Sequence, residues 1–123
     1  MANAVSLIKL SASTKGRGIK IVATGTAGTA VHATGNSGST VIDQVRLFLQ
    51  NNHTADVVAT VEFGGVTSPD DLIIVTIPAK SGKVLVVDDL PLIDGAAGAL
   101  TVAVFAATAD VIVAFGHVRR ITP

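Results

Sequence analysis

Three observations predict an all-β chain. Apolar and polar residues alternate with a period of two in several short runs, as happens when one face of a strand meets a core. Val, Ile and Thr, which suit a pleated surface, fill much of a sequence that is 49% hydrophobic. Gly, Pro, Asn and Asp punctuate these runs at short intervals, and long runs of strong helix formers are missing. Roughly eight to ten strands on short loops imply a single-domain β-sandwich or jelly-roll-like fold with little or no helix.

The elements follow in order. Residues 5–10 form a first strand. Residues 18–23 form a second, with Ile19 and Ile21 on one face and Lys20 on the other. Residues 25–40 are rich in Gly, Thr, Ala and Ser and hold one short strand at 29–34; such a stretch reads as a loop or arm. The pattern strengthens at residue 40. Val41, Asp43, Val45, Leu47 and Leu49 share one face of a strand, and Ile42, Gln44, Arg46 and Phe48 the other. Asn51-Asn52-His53 reads as a turn into a strand at 56–63, with Val57, Ala59, Val61 and Phe63 inward, so the pair is expected to be a hairpin.

A second hairpin is expected from 72–77 and 83–87 around Pro78-Ala79-Lys80-Ser81-Gly82, followed by a bridging segment at 90–93 and a loop at 94–98. A third joins 100–107 to 111–121 through Thr108-Ala109-Asp110. In its last strand Val111, Val113 and Phe115 lie on one face and Ile112, Ala114 and Val118 on the other. Apolar residues on both faces suggest that another subunit covers one of them. The organisation expected is a weakly patterned N-terminal arm at 1–39 and a sandwich core at 40–123.

At 123 residues one domain can bury roughly two-thirds of the surface its unfolded chain exposes. The chain therefore folds without a staple, in keeping with zero Cys, which removes disulfides and thiolate metal sites. The only aromatics are Phe48, Phe63, Phe105 and Phe115, each inside an apolar strand pattern and expected in the core. Flat aromatic platforms for sugar or single-stranded nucleic acid are thus missing. Nine basic and nine acidic residues cancel, which disfavours nucleic acid as a partner. No apolar run approaches the roughly 20 residues a bilayer needs, no signal-peptide pattern opens the chain, and the initiator Met fits cytoplasmic synthesis.

Charge is unevenly placed. Residues 1–50 hold Lys9, Lys15, Arg17, Lys20 and Arg46 against Asp43 alone, residues 51–118 hold eight acids against Lys80 and Lys83, and Arg119 and Arg120 close the chain. Such a dipolar subunit can set its basic part against a neighbour's acidic part; ordinary solvated loops are the plainer account.

No catalytic, cofactor-binding or metal-binding residue is expected. His32, His53 and His117 match neither a nucleophile-elbow nor a metal-pair pattern, and each reads as a solvated or interface histidine. Asp70-Asp71 and Asp88-Asp89, with Asp94, have no calcium-loop spacing and read as turn formers. Gly25-Thr26-Ala27-Gly28 and Gly35-Asn36-Ser37-Gly38 lack the Lys-Ser/Thr ending of a phosphate loop.

The run Val61-Glu62-Phe63-Gly64-Gly65-Val66-Thr67-Ser68-Pro69-Asp70-Asp71-Leu72-Ile73-Ile74-Val75-Thr76-Ile77-Pro78 resembles small virion structural proteins of tailed phages. So does its continuation from Val84 through Asp88-Asp89-Leu90-Pro91-Leu92 to Ala114-Phe115-Gly116-His117-Val118-Arg119-Arg120-Ile121. The likeness spans about residues 40–121 and carries over no functional residue. The abundance of Ala, Gly, Thr and Val is similar to that of the lambda-type head decoration proteins.

The resemblance implies a capsid decoration (cement) protein that binds and stabilises a phage head. It implies a homotrimer whose partner is the major capsid protein or another virion protein, located in the virion and made in the host bacterial cytoplasm. Lys9, Lys15, Arg17, Lys20, Arg119 and Arg120 are then the candidate subunit and capsid contacts; residues 1–40 suit a docking arm, and deleting residues 1–16 is expected to leave a folded domain that no longer binds its particle. A tail, neck or baseplate component and a small sugar- or protein-binding module stay open as alternatives.

Overall fold

Alternation is most regular in the strand that opens at Ile42. Ten consecutive residues there switch between half-buried and buried without a break, so every second side chain enters the core. The computed structural model describes residues 4–34, 41–93 and 99–122, and its elements are all strands. In chain order they are β1 (Ala4–Lys9), β2 (Ile19–Lys20), β3 (Thr29–Ala33), β4 (Ile42–Asn51), β5 (Val57–Phe63), β6 (Leu72–Ile77), β7 (Lys83–Ile93), β8 (Thr101–Ala106) and β9 (Ile112–Thr122).

Two antiparallel sheets face each other. The larger has the order β1-β9-β4-β7, with β2 also on β9; the smaller has the order β3-β8-β5-β6. One core lies between them. Val45, Leu47 and Leu49 of β4 and Ile112, Ala114 and Val118 of β9 meet Val57, Ala59 and Val61 of β5 and Val102, Val104 and Ala106 of β8. The expected all-β sandwich is the fold.

The expected pairing is corrected. None of the three hairpins forms, because β4 and β5, β6 and β7, and β8 and β9 each lie in opposite sheets. Their turns are arches over the edge of the sandwich. The local hairpin is instead β5–β6, in register from Val57↔Ile77 to Glu62↔Leu72. Alternation places a side chain inward or outward but is silent about which sheet a strand joins.

Residues 90–93 do not bridge: they are the end of β7. Relative to β4, β7 carries extra residues where the register shifts beside Leu47, and Asp89 takes a φ of 55° there. Asp88 and Asp89, expected as turn formers, are thus part of a bulged strand, and a bulge re-aims the side chains it carries. Gly116 of β9 opposes Leu47, and a Cβ at that position would run into the Arg46 carbonyl oxygen.

The N-terminal third is not a separate arm. β1 pairs with β9 over Ala4↔Thr122 to Lys9↔His117, and β3 pairs with β8. Leu10, Ile21 and Val31 belong to the same core as β4. The boundary expected at residue 39, the Gly35-Asn36-Ser37-Gly38 turn and the 94–98 loop fall outside the described residues. The phenylalanines also differ from expectation. Only Phe63 packs against the core. Phe48 and Phe115 form a cross-strand pair on the outward face of the larger sheet, and Phe105, paired with Thr60, points away from the core on the smaller one.

Candidate functional site

Asp43 is the one charged residue on the inward face of β4, and its side chain is 0% exposed. A buried carboxylate is costly unless ionic and hydrogen-bonding partners meet it. β9 supplies Arg120, directly across the ladder. Its Nε donates to Asp43 Oδ1 and its Nη2 to Oδ2, each at 2.8 Å, the bidentate geometry at which guanidinium–carboxylate pairs are strongest. The opposite sheet supplies His32, also 0% exposed, with Nε2 at 2.8 Å from Asp43 Oδ2. The Ser11 N–H donates to His32 Nδ1 at 3.1 Å. Nδ1 therefore holds the lone pair, and Nε2 carries the proton that it donates to Asp43.

Titration follows from this geometry. Burial pushes the His32 pKa below its ordinary 6.5, outweighing the hydrogen bond and charge of Asp43 that pull it up. For Asp43 burial is also the largest single influence and acts upward. The hydrogen bonds from Arg120 and His32 and the Arg120 charge together exceed it, holding the carboxyl below its ordinary 3.8. With both ring nitrogens occupied and no exposure, His32 has no lone pair to offer a substrate. The triad is a latch between sheets. The expected solvated His32 is corrected accordingly, and Arg120, expected as a partner contact, is spent largely on Asp43. An Asp among Val41, Val45 and Leu47 on one inward face was the sequence signal for a buried partner; its identity depends on which strands pair.

The outward face of the larger sheet has another character. Register sets Val5, Ile121, Ile42 and Ile93 side by side across β1, β9, β4 and β7. A second row sets Phe115, Phe48 and Leu85 across β9, β4 and β7. Leu7 is 71% exposed, Val5 61% and Ile93 52%, so the first row reaches solvent at both ends. Between the rows β4 presents Gln44 and Arg46, and Arg46 Nη2 bonds Asp88 Oδ1 at 2.6 Å with Asp89 Oδ2 3.8 Å away. At the far end Lys83 Nζ sits 4.5 Å over the Phe48 ring.

Five of the six basic candidates border this face. Lys9 and Arg119 flank it on β1 and β9, opposite His117 and Leu7 respectively. Lys20 lies opposite Val113, and exposed Lys15 and Arg17 occupy the turn joining β1 to β2. The basic groups thus line the β1–β2 edge, and the acids Asp88 and Asp89 the β7 edge.

The smaller sheet's outward face bears a cavity of about 460 Å³ lined by Ala27, Gly28, Ala30, Glu62, Gly64, Gly65, Val66, Ala99, Leu100, Thr101 and Ala103. Glu62, almost wholly buried, accepts from Thr26 Oγ1 and the Gly28 N–H, each at 2.7 Å. Gly28 rests so closely on β8 that a Cβ would collide with the Val104 backbone. Glu62 therefore pins the loop before β3 to the sheet. Among the described residues no three His, Asp or Glu side chains converge as a metal site would require. Asp71, one of the turn acids, accepts from the Thr67 N–H within its own turn; Asp94 lies outside the described residues.

Compared with protein-family models, curated proteins and solved structures, the chain matches none of them.

Proposed function

We propose that this chain is a structural subunit of a tailed-phage particle, of the capsid-decoration kind, that works by assembly rather than by catalysis. The observation that carries the reading is the apolar row Val5–Ile121–Ile42–Ile93, laid across β1, β9, β4 and β7 of the larger sheet on the side away from the core. Soluble proteins leave such contiguous apolar surface where a partner covers it. Its borders differ in charge, basic at β1–β2 and mixed at β7, where Asp88 and Asp89 stand with Lys83. Head-to-tail contact between these borders closes a ring when the rotation permits, and a trimer is the ring expected here. Lys9, Lys15, Arg17, Lys20 and Arg119 then serve neighbouring copies or the capsid surface.

Two further features support the reading. The first is the sequence resemblance over about residues 40–121. The second is the strand order, with every connection from β3 onward crossing between sheets except β5–β6. We read that order as a jelly roll, a layout used in viral capsid domains, and as an argument from fold analogy alone. In a particle, the partner is the major capsid protein.

Native mass measurement at about ten micromolar, with antibody labelling of particles made from the genome encoding this chain, tests the proposal. A trimer and a labelled head are expected. A monomer with unlabelled particles overturns it, and label confined to the tail moves the protein to the tail. An arm deletion at 1–16 is not a clean test, since it removes Leu10 from the core and the Ser11 bond to His32.

A further inference from the structure

Each sheet has two edges, that of the larger beside β9 being shared by β1 and β2, and the chain guards them unequally. β7 carries Asp88, Asp89, Pro91 and two register shifts. β3 is broken by a register shift between Ala30 and His32. β1 ends in Lys9. β6 has none of these devices. Its sequence is Leu-Ile-Ile-Val-Thr-Ile, free of charge and proline, and it pairs with β5 in unbroken register. Ile74 at its centre is 66% exposed. An apolar, flat, uncharged edge strand is a template for another strand, and soluble proteins normally blunt it.

The main-chain groups define which strand fits. Phe63 N–H donates to the Asp71 carbonyl, so in this ladder the odd-numbered residues of β6 turn their peptide groups toward β5. Those of Leu72, Ile74 and Thr76 face outward. The Leu72 N–H is already engaged by the Pro69 carbonyl, which leaves its C=O together with both groups of Ile74 and Thr76. An antiparallel copy of β6 with Ile74 opposite Ile74 uses all of this set except the Thr76 C=O, which stays with solvent. The Ile74 groups bond reciprocally, and each Thr76 N–H meets the Leu72 carbonyl of the other strand. That register keeps both outward faces on one side of the joined sheet and sets Ile73 opposite Val75 beneath them. No charged side chain falls inside the paired stretch.

We infer that β6 is a homotypic docking edge. Two copies of this chain join through it about a two-fold axis, making one continuous eight-stranded sheet from their two four-stranded ones. The self-matching register and the absence of charge select a second copy over an unrelated peptide. The edge is distinct from the larger-sheet face proposed above, so β6 pairing joins two trimers where trimers form and two monomers where they do not.

Sedimentation equilibrium of the full chain with two variants tests this. Ile74→Pro removes an N–H that faces away from β5, a position where edge strands tolerate proline, and Ile74→Lys adds a charge at the axis. The wild type is expected in even multiples of the chain, and both variants at half the wild-type mass with an unchanged β spectrum. Should Ile74→Pro fail to fold, Ile74→Lys alone decides. In hydrogen exchange, the Ile74 and Thr76 amides gain protection with rising wild-type concentration only. A wild type that stays monomeric or purely trimeric overturns the inference, as does a folded Ile74→Lys variant that keeps the wild-type mass. The purely trimeric result would leave the particle-subunit reading intact.

Discussion

The two ends of β4 face the same problem and solve it differently. Asp43 near its start and Asn51 at its end are both fully buried, with Val45, Leu47 and Leu49 between them. Each reaches across to the opposite sheet. Asp43 does so as an ion held by Arg120 and His32. Asn51 does so as a neutral amide, its Nδ2 donating to the Ala55 and Ile77 carbonyls at 2.9 Å while its Oδ1 accepts from the His53 N–H at 2.8 Å. Both are satisfied, which is the condition for burying polar atoms at all. Only the ionic end ties the fold to pH.

The largest expected effect comes from breaking the ionic end. Asp43→Ala removes the acceptor for three N–H groups and leaves the Arg120 guanidinium without its bidentate partner. Losing one member of a buried charged set costs about 3 kcal/mol here, the lower part of the usual range because Arg120 keeps some solvent. Urea titration at neutral pH measures it. Below the ordinary carboxylate value of 3.8 the penalty shrinks, because the unfolded wild type there takes up the proton that folded Asp43 resists. A penalty that does not change with pH would show that Asp43 contributes packing and not charge.

Breaking the neutral end is expected to cost less. Asn51→Ala takes one hydrogen bond from each of the Ala55 carbonyl, the Ile77 carbonyl and the His53 N–H, worth about 2 kcal/mol together because part of the site reaches water. This loss should be equal at pH 8 and pH 4. Together the two variants separate a charged bridge from a neutral one on the same strand.

How much of this was legible beforehand depends on range. Placement of each β4 side chain came from alternation, a property of neighbouring residues, and Asp43 stood out within Val41–Leu49 for that reason. Turn positions came from Gly, Pro and Asn. Partnership did not. Asp43 meets Arg120 across 77 residues and His32 across sheets, and the arches at Asn51–Asn52, Pro78–Lys80 and Thr108–Asp110 look locally like hairpin turns. The bulge at Asp88–Asp89 was hidden similarly, since an Asp pair marks a turn as often as an extra residue in a strand. The outward apolar row was visible only at Ile42, which fell on the face of its strand opposite Val45, Leu47 and Leu49; its alignment with Val5, Ile121 and Ile93 needs the register.

A smaller effect is expected from acid acting on the wild type. His32 has a folded pKa below its ordinary 6.5, so the unfolded chain binds the proton first as pH drops. The stabilisation is therefore complete above pH 6.5 and declines below it. Asp43, depressed from 3.8, adds a second decline in the same direction at lower pH. Denaturant midpoints from pH 8 to pH 3 should fall in two steps, and His32→Gln should remove the upper one while lowering the plateau. A single step below pH 4 would mean that His32 titrates alike in both states.

The smallest effect tests whether charge pairing as such, or its burial, separates the two ends of β4. Arg46 sits between them on the outward face and bonds Asp88 at 2.6 Å, shorter than either Arg120 bond to Asp43. Distance alone would rank it the stronger. Its partner is 59% exposed and the Arg46 side chain 36%, however, so water screens the pair and ordering two flexible side chains offsets the attraction. Arg46→Ala is expected to leave the urea midpoint of the isolated chain within experimental scatter, and adding salt should change nothing further. A clear loss would mean that the bulge at Asp88–Asp89 depends on the guanidinium to hold β7 against β4.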